Sequence, residues 1–319
     1  MKVLIIGGAG FLGANLVRRC LLEPVDELTV MDSLDPHLYA TTGNLTEIWD
    51  KITFVRGDLR DETLLARIVQ GQDVIFNCAA QTSHPLSIQY PLLDAEINCL
   101  GNLKLLEAVR LLNRRAVVVY TSSSTVIGKA LHEVIDEDHW ERPLEIYSAN
   151  KGVAEKYYRI YHTIHDLNTI VLRFANLYGP YGKGYPEFGF INYFIHLAWL
   201  NQEIKIFGFG EQTRNVMYVE DAANILFRAA AEKKLAGQTY FATGEEHLSV
   251  AEIAGKIVSV FGRGKVTRIE WPEDRRRIEI EDVRFSSARL RSAVDWKPGW
   301  NFESGLKKTK EILERMDSF

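Results

Sequence analysis

The stretch Lys2–Gly13, KVLIIGGAGFLG, decides the fold. Val3 to Ile6 form an apolar run of strand type. Gly7, Gly10 and Gly13 then fall in a GxxGxxG turn, and Leu12, Leu16, Val17, Cys20 and Leu21 lie on one stripe at helical spacing. Strand, glycine turn and helix in that order let backbone amides approach a pyrophosphate at the positive end of the helix. The next apolar run, LTVM, ends at Asp32, about 20 residues beyond the last glycine, where a carboxylate accepts hydrogen bonds from an adenosine ribose. Its negative charge repels a 2′-phosphate, so NAD is expected rather than NADP. A glycine turn that merely packs helix on strand is the competing reading, and the coincidence with Asp32 disfavours it.

Working outward, four further β-branched runs follow: ITFV from Ile52, VIFNC from Val74, AVVVY from Ala116 and TIVLRF from Thr169, each separated from the next by an amphipathic stretch. This alternation predicts an α/β protein with a Rossmann-type doubly wound parallel sheet, helices on both faces, and a smaller carboxy-terminal α/β substrate lobe. The cluster Tyr178 to Gly189, rich in glycine, proline and tyrosine, reads as the loop between the two parts. Residues 1–176 plus about 205–242, which include KIFGF and QTYFAT, are expected to form the NAD-binding domain. Residues 177–204 plus 243–319 are expected to bind the sugar nucleotide.

Composition narrows the function classes. Hydrophobic residues make up 46% of 319 and charged residues 25%, with no segment long and apolar enough to span a bilayer. The amino terminus lacks the ordered regions of a signal peptide, so a cytoplasmic location is expected. Cys20, Cys78 and Cys99 sit singly in apolar stretches, without metal-ligand spacing, and read as buried thiols; no metal is expected. A net charge of −4, with no basic cluster interleaved with aromatics, argues against nucleic acid as a partner. Glu273 to Arg284 is the notable run of mixed charge.

Tyr147 and Lys151 are four apart in YSANK and therefore stack on one helical face. A free phenol is a poor base near neutrality. A nearby ammonium and a positive nicotinamide ring would favour the phenolate. Ser122, Ser123 and Ser124 close the fifth strand about two dozen residues upstream, where a hydroxyl can bond the same substrate oxygen. After the third strand, Arg56, Gly57, Asp58 and Leu59 place an acid where it meets adenine or simply forms the turn. Asn77, Cys78, Ala79 and Ala80 end the fourth strand with small residues across which a cofactor can lie. His84, in QTSHP, reads either as a loop-packing histidine or as a contact to a substrate hydroxyl.

GGAGFLG, NCAAQ, NCLGN, SSSTVIG, YSANK, RFANLYGP, QTRNVMYVED and DWKP, in this order along nearly the whole chain, resemble the extended short-chain dehydrogenase/reductase family. The similarity is greatest to its NAD-dependent sugar-nucleotide epimerases and dehydratases, and among them to the UDP-glucose and UDP-N-acetylglucosamine 4-epimerases. The resemblance implies that Ser123 polarises the substrate hydroxyl while Tyr147 takes its proton, and that Lys151 holds the nicotinamide ribose. It implies cofactor contacts at Gly7, Gly10, Phe11, Leu12, Gly13, Asp32, Asp58, Leu59, Ala79, Ala80, Asn98 and Phe174. Gln81, Ser124 and Asn176 are expected at the substrate. Arg214 and one of Arg275, Arg276 and Arg277, taken as Arg276, are the expected diphosphate clamps. Val283, seven after Arg276, is expected to bound the space at the sugar's second carbon and, being small, to admit an N-acetyl group. The chain departs from the family pattern at Asn77, Ile127 and Asn215, where the family usually has His, Tyr and Asp. The helices near 92–113 and 148–166 are expected to pair two copies into a homodimer, with Tyr157, Tyr158 and Tyr161 either in that interface or in the core.

Dehydratases of the family carry Asp and Glu directly after the catalytic hydroxyl, and decarboxylases usually carry Glu at the second position; here stand Ser124 and Thr125. Epimerisation needs neither acid, since hydride goes to NAD, the keto sugar rotates, and hydride returns to the other face. A nucleotide-diphosphate sugar, specifically a UDP-hexose inverted at carbon 4, is the expected substrate. The alternatives are a dehydratase, a decarboxylase, an NADPH-dependent 4-keto-sugar reductase, which Asp32 argues against, and a dinucleotide-sensing protein without chemistry, which intact Ser123, Tyr147 and Lys151 argue against.

Overall fold

The computed structural model describes residues 1–272 and 282–316. Seven strands form the large sheet: β1 (Lys2–Ile6), β2 (Glu27–Asp32), β3 (Thr53–Arg56), β4 (Val74–Asn77), β5 (Val117–Ser123), β6 (Asn168–Phe174) and β7 (Thr239–Ala242). Their order is β7-β6-β5-β4-β1-β2-β3, and every neighbouring pair is parallel. The chain order reverses between β1 and β4, and a cleft opens at the carboxyl ends of the strands there, as doubly wound sheets require.

Both faces of the sheet are covered. On one, Leu16, Val17 and Cys20 of the helix Phe11–Cys20 cluster with Ala222, Ile225 and Leu226 of the helix Val219–Ala231. On the other, Leu65, Leu105, Val109 and Tyr158 come from the helices Glu62–Ile68, Gly101–Leu112 and Ile146–His165. Two-sided burial explains why the strands read as continuous apolar runs. Tyr158 and Tyr161 lie in this core, while Tyr157 is half-buried with its hydroxyl 3.6 Å from Cys99 Sγ. Cys20 is buried, whereas Cys78 and Cys99 are half-buried; burial pushes the Cys20 and Cys78 thiols up to about 12. Among the described residues no helix is long and apolar enough to cross a membrane.

The smaller lobe packs the helices Phe190–Trp199, Val250–Phe261 and Phe302–Met316 around a three-stranded sheet made of Asn176–Tyr178, Thr213–Tyr218 and Glu246–Ser249. One boundary differs from the expectation. The strand Glu203–Phe207 pairs with Lys265–Ile269 inside this lobe, so the KIFGF segment does not belong to the large sheet. Its alternation shows why: Ile204 and Ile206 are buried while Lys205 is exposed, a pattern for a strand with one wet face. Of residues 205–242, the helix Val219–Ala231 and β7 pack on the large sheet.

Beneath the carboxyl ends of β5 and β6 lies a buried ion pair. Arg173 donates through Nε to Glu155 Oε1 at 2.9 Å and through Nη2 to Oε2 at 2.6 Å, and also reaches Glu141 at 2.7 Å. Ser122 Oγ donates to the same Glu155. Removing one partner of such a pair leaves an uncompensated charge and costs about 3–5 kcal/mol. Glu155→Ala is therefore expected to lower the urea midpoint of unfolding strongly, and an unchanged midpoint would show that the pair is not a structural tie.

Candidate active site

The cofactor end of the cleft is built around missing side chains. Gly7 has φ +76°, and a Cβ there would stand 2.6 Å from the backbone nitrogen of Ala79; at Gly13 it would stand 2.2 Å from the Gly7 carbonyl oxygen. The helix start is therefore drawn against the ends of β1 and β4, and Gly7, Gly10, Phe11, Leu12 and Gly13 line the cleft. Asp32 is buried at the end of β2. One carboxylate oxygen accepts from Ala9 N and the other from Leu34 N, both at 3.0 Å. Burial raises its pKa against those amides and Lys183. Asp58, Leu59, Ala79 and Ala80 line the same wall, with the Asp58 carboxyl drawn below its usual range because Arg60 hydrogen-bonds it, against burial. A narrow backbone turn and a buried acid one strand away fit a dinucleotide with a free ribose 2′-hydroxyl.

At the other end, Ser123, Ser124, Tyr147, Lys151, Phe174 and Asn176 face one another across the cleft. Ser123 terminates β5, and its Oγ shares a hydrogen bond with Thr125 Oγ1 at 2.9 Å. Tyr147 and Lys151 stand one turn apart on the helix Ile146–His165. Burial pushes the Tyr147 phenol well above its ordinary pKa, and a hydrogen bond with Ser123 opposes the rise. Lys151 is held by the strand beside it. Its Nζ donates to the Thr121 carbonyl at 2.7 Å and sits 4.2 Å from the centre of the Tyr120 ring. Burial lowers Lys151 to about 8, against Glu155. Asn176 Nδ2 donates to the Asn215 carbonyl at 3.0 Å, tying this wall to the small lobe.

Other expected residues lie elsewhere. Gln81 and Asn98 are buried off the cleft lining and bond to each other through backbone and side chain, and both donate to Asp94. Asp94 also accepts from Asn150, on the helix that carries Tyr147. Asn98 occupies a π-helical turn, Glu96–Leu100, and with Gln81 it anchors the loop after β4 rather than lining the cleft. Val283 is not on the cleft wall. It is buried against Val126, Ile127, Ile135 and Phe241, because the adjoining Arg284–Phe285 pairs with Val134–Ile135. Arg214 stands outside the lining, two places from Val216, the register partner of Asn176, and its guanidinium donates to the Thr213 carbonyl at 2.8 Å. Arg275, Arg276 and Arg277 lie outside the described residues. Among the described residues no three His, Cys, Asp or Glu side chains gather as a metal site requires.

Two further features belong to the cleft. Lys183 lines it beside Asp32, donates to the Leu38 carbonyl and is lowered to about 8 by burial. Nearby, Tyr39 stacks on Tyr185 at 4.3 Å, which ties the segment after β2 to the loop between the lobes. His84, which the sequence reads either as a loop-packing histidine or as a contact to a substrate hydroxyl, lines the cleft and has a partner in Glu145, two residues before Tyr147. The spacing of Glu145 from Tyr147 was visible, but its pairing across 61 residues was not.

Comparison with known proteins adds to this geometry. Residues 3–242 match the model of the NAD dependent epimerase/dehydratase family. The chain is 30% identical to a UDP-glucose 4-epimerase of Mycolicibacterium smegmatis, with 98% of each covered. It is 31% identical to a dTDP-glucose 4,6-dehydratase of Shigella flexneri, with 98% of this chain and 92% of that one covered. The fold superposes on the NAD complex of a Thermus thermophilus UDP-glucose 4-epimerase with a TM-score of 0.86 at 27% identity, covering 98% of this chain and 99% of that one.

The lysine yields a measurable linkage. Its pKa in the fold, about 8, is below the ordinary 10.5, so the charged form is penalised by folding. That penalty is full below pH 8 and is relieved as pH rises from about 8 to 10.5, because the unfolded chain then holds the extra proton. Lys151→Met is expected to raise the thermal midpoint at pH 7 and to flatten this rise, while abolishing turnover. A lower midpoint at pH 7 would show that the Thr121 bond outweighs desolvation.

Proposed function

The chain belongs to the NAD-dependent epimerase/dehydratase family, and on that premise we propose that it epimerises a nucleotide-diphosphate sugar, a UDP-hexose at carbon 4. One observation carries the choice among family reactions. Around Ser123 and Tyr147 the described cleft wall offers the hydroxyls of Ser124 and Thr125 but no carboxylate; Asp32, Asp35 and Asp58, the acids that line it, stand at the β2 and β3 end. Elimination of water needs an acid for the departing hydroxyl, whereas epimerisation needs only one proton taken and returned at one oxygen.

In this proposal Tyr147 takes the proton of the carbon 4 hydroxyl, and Ser123 donates a hydrogen bond to the same oxygen. Lys151, fixed by the Thr121 carbonyl, holds the nicotinamide ribose, while Asp32 holds the adenosine ribose and excludes a 2′-phosphate. NAD held by these residues would supply the hydride acceptor and donor for carbon 4, and its positive ring would supply charge that lowers the phenol. The keto sugar turns between the two transfers. Asn176 and Arg214, on adjoining strands of the small lobe, are assigned to the nucleotide's phosphates and sugar. Val153, Ile160 and Ile164, exposed along one stripe of the helix Ile146–His165, support pairing of two copies.

The test is incubation of purified protein, without added cofactor, with UDP-glucose and with UDP-N-acetylglucosamine. The carbon 4 epimer is expected, with kcat lowered about 10²–10⁴-fold in Tyr147→Phe. A stable keto product in place of the epimer would replace this reading with dehydration.

A further inference from the structure

His84 opens the short helix His84–Gln89 at the edge of the cleft, and its ring lies 4.8 Å from the ring of Tyr147, tilted by 58°. Nδ1 is paired with Glu145, which immediately precedes the helix of Tyr147 and is only 15% exposed. Beside the carboxylate, Ser148 Oγ lies 3.4 Å from Glu145 Oε1 and 2.9 Å from Thr125 Oγ1, with its one proton for either, and Thr125 shares a bond with Ser123. A carboxylate on Nδ1 keeps the proton on that nitrogen and leaves the Nε2 lone pair available. Among the described residues Nε2 has no partner. A loop-packing histidine has no need of a largely covered carboxylate on one nitrogen and a place in the cleft lining. This arrangement is that of an oriented base.

We propose that the His84–Glu145 pair transfers a proton at a carbon next to the sugar ketone, giving this site a proton-exchange activity in addition to epimerisation. The step rests on the keto sugar of the proposed reaction. A ketone acidifies the hydrogens of its neighbouring carbons. His84 Nε2 takes one of them; the C–H pair becomes the carbon–carbon π bond of an enolate, and the carbonyl π pair moves onto oxygen, which accepts hydrogen bonds from the Ser123 and Tyr147 hydroxyls. Return of the proton from His84 to carbon reverses every electron shift, so no oxidant is consumed and no bond but C–H is broken.

The test supplies the ketone directly. UDP-4-keto-6-deoxyglucose and dTDP-4-keto-6-deoxyglucose are incubated with the purified protein in D2O, and deuterium at carbons 3 and 5 is read by mass spectrometry and NMR. Incorporation at a flanking carbon at least tenfold faster than in a protein-free sample is expected, with a tenfold or greater loss in both His84→Ala and Glu145→Gln. Free imidazole is expected to restore exchange to His84→Ala, which a merely structural histidine would not allow. Absence of incorporation above the protein-free sample, or equal incorporation in His84→Ala, overturns the proposal. Epimerisation of UDP-glucose is scored separately, so failure of that reaction and failure of the exchange are told apart.

Discussion

Everything at the reacting end depends on the register between β5 and the helix Ile146–His165. Three consecutive strand residues meet one row of the helix: the Thr121 carbonyl receives Lys151 Nζ, Ser122 Oγ donates to Glu155, and Ser123 bonds Tyr147. Positions 147, 151 and 155 are successive turns of one face, so strand and helix are locked in three places. Glu155 is held in turn by Arg173 on β6. The phenol and hydroxyl proposed to react are thus placed by a buried charge pair behind them rather than by contact with each other alone. Truncating Glu155 therefore loosens chemistry and fold together.

Legibility in the sequence followed how local the determining contacts are. The glycine turn, the strand before it and Asp32 lie within one βαβ unit, where a tight turn, a helix start and a strand end each leave their own residue type. The doubly wound sheet followed from doubly buried strands, whose apolar runs are continuous. The expectation that residues 205–242 return to that sheet does not hold for KIFGF, whose strand Glu203–Phe207 pairs in the small lobe. Its exposed Lys205 between Ile204 and Ile206 carried the contrary signal of a strand with a single dry face.

At the site, the row Tyr147 and Lys151 was legible because helical spacing fixes it, and the structure brings both to the cleft with Ser123. What they do to each other was not legible, since it depends on which acceptor the ammonium finds; that acceptor is a backbone carbonyl, which no residue type betrays. Gln81 and Asn98 carry polar side chains in family motifs, yet their bonds turn inward to Asp94 and hold a loop. Asp94 and Asn98 are four apart, so their contact was readable on a helix; the reach to Gln81 was not. Val283 sits behind the segment Ser124–Ile127 because a two-residue strand pairing pulls it there. His84 and Glu145 meet only through tertiary folding, and their partnership is invisible to any window along the chain.

The turn at Gly7 and Gly13 has a consequence for how such a protein is mapped by substitution. A scan that replaces each side chain by alanine asks what is lost when atoms are removed, and at these two positions it can only add one. At Gly13 the added carbon would stand 2.2 Å from a carbonyl oxygen that is part of the chain itself and has no rotamer by which to yield. All nineteen alternatives share that carbon, proline included, so their chemistry has little bearing on the outcome. In a table of tolerated residues Gly13 would appear as restricted as Tyr147, although the first has no side chain to offer a reaction and the second is the phenol proposed to take the proton. A restricted position measures the cost of change, and volume alone can set it.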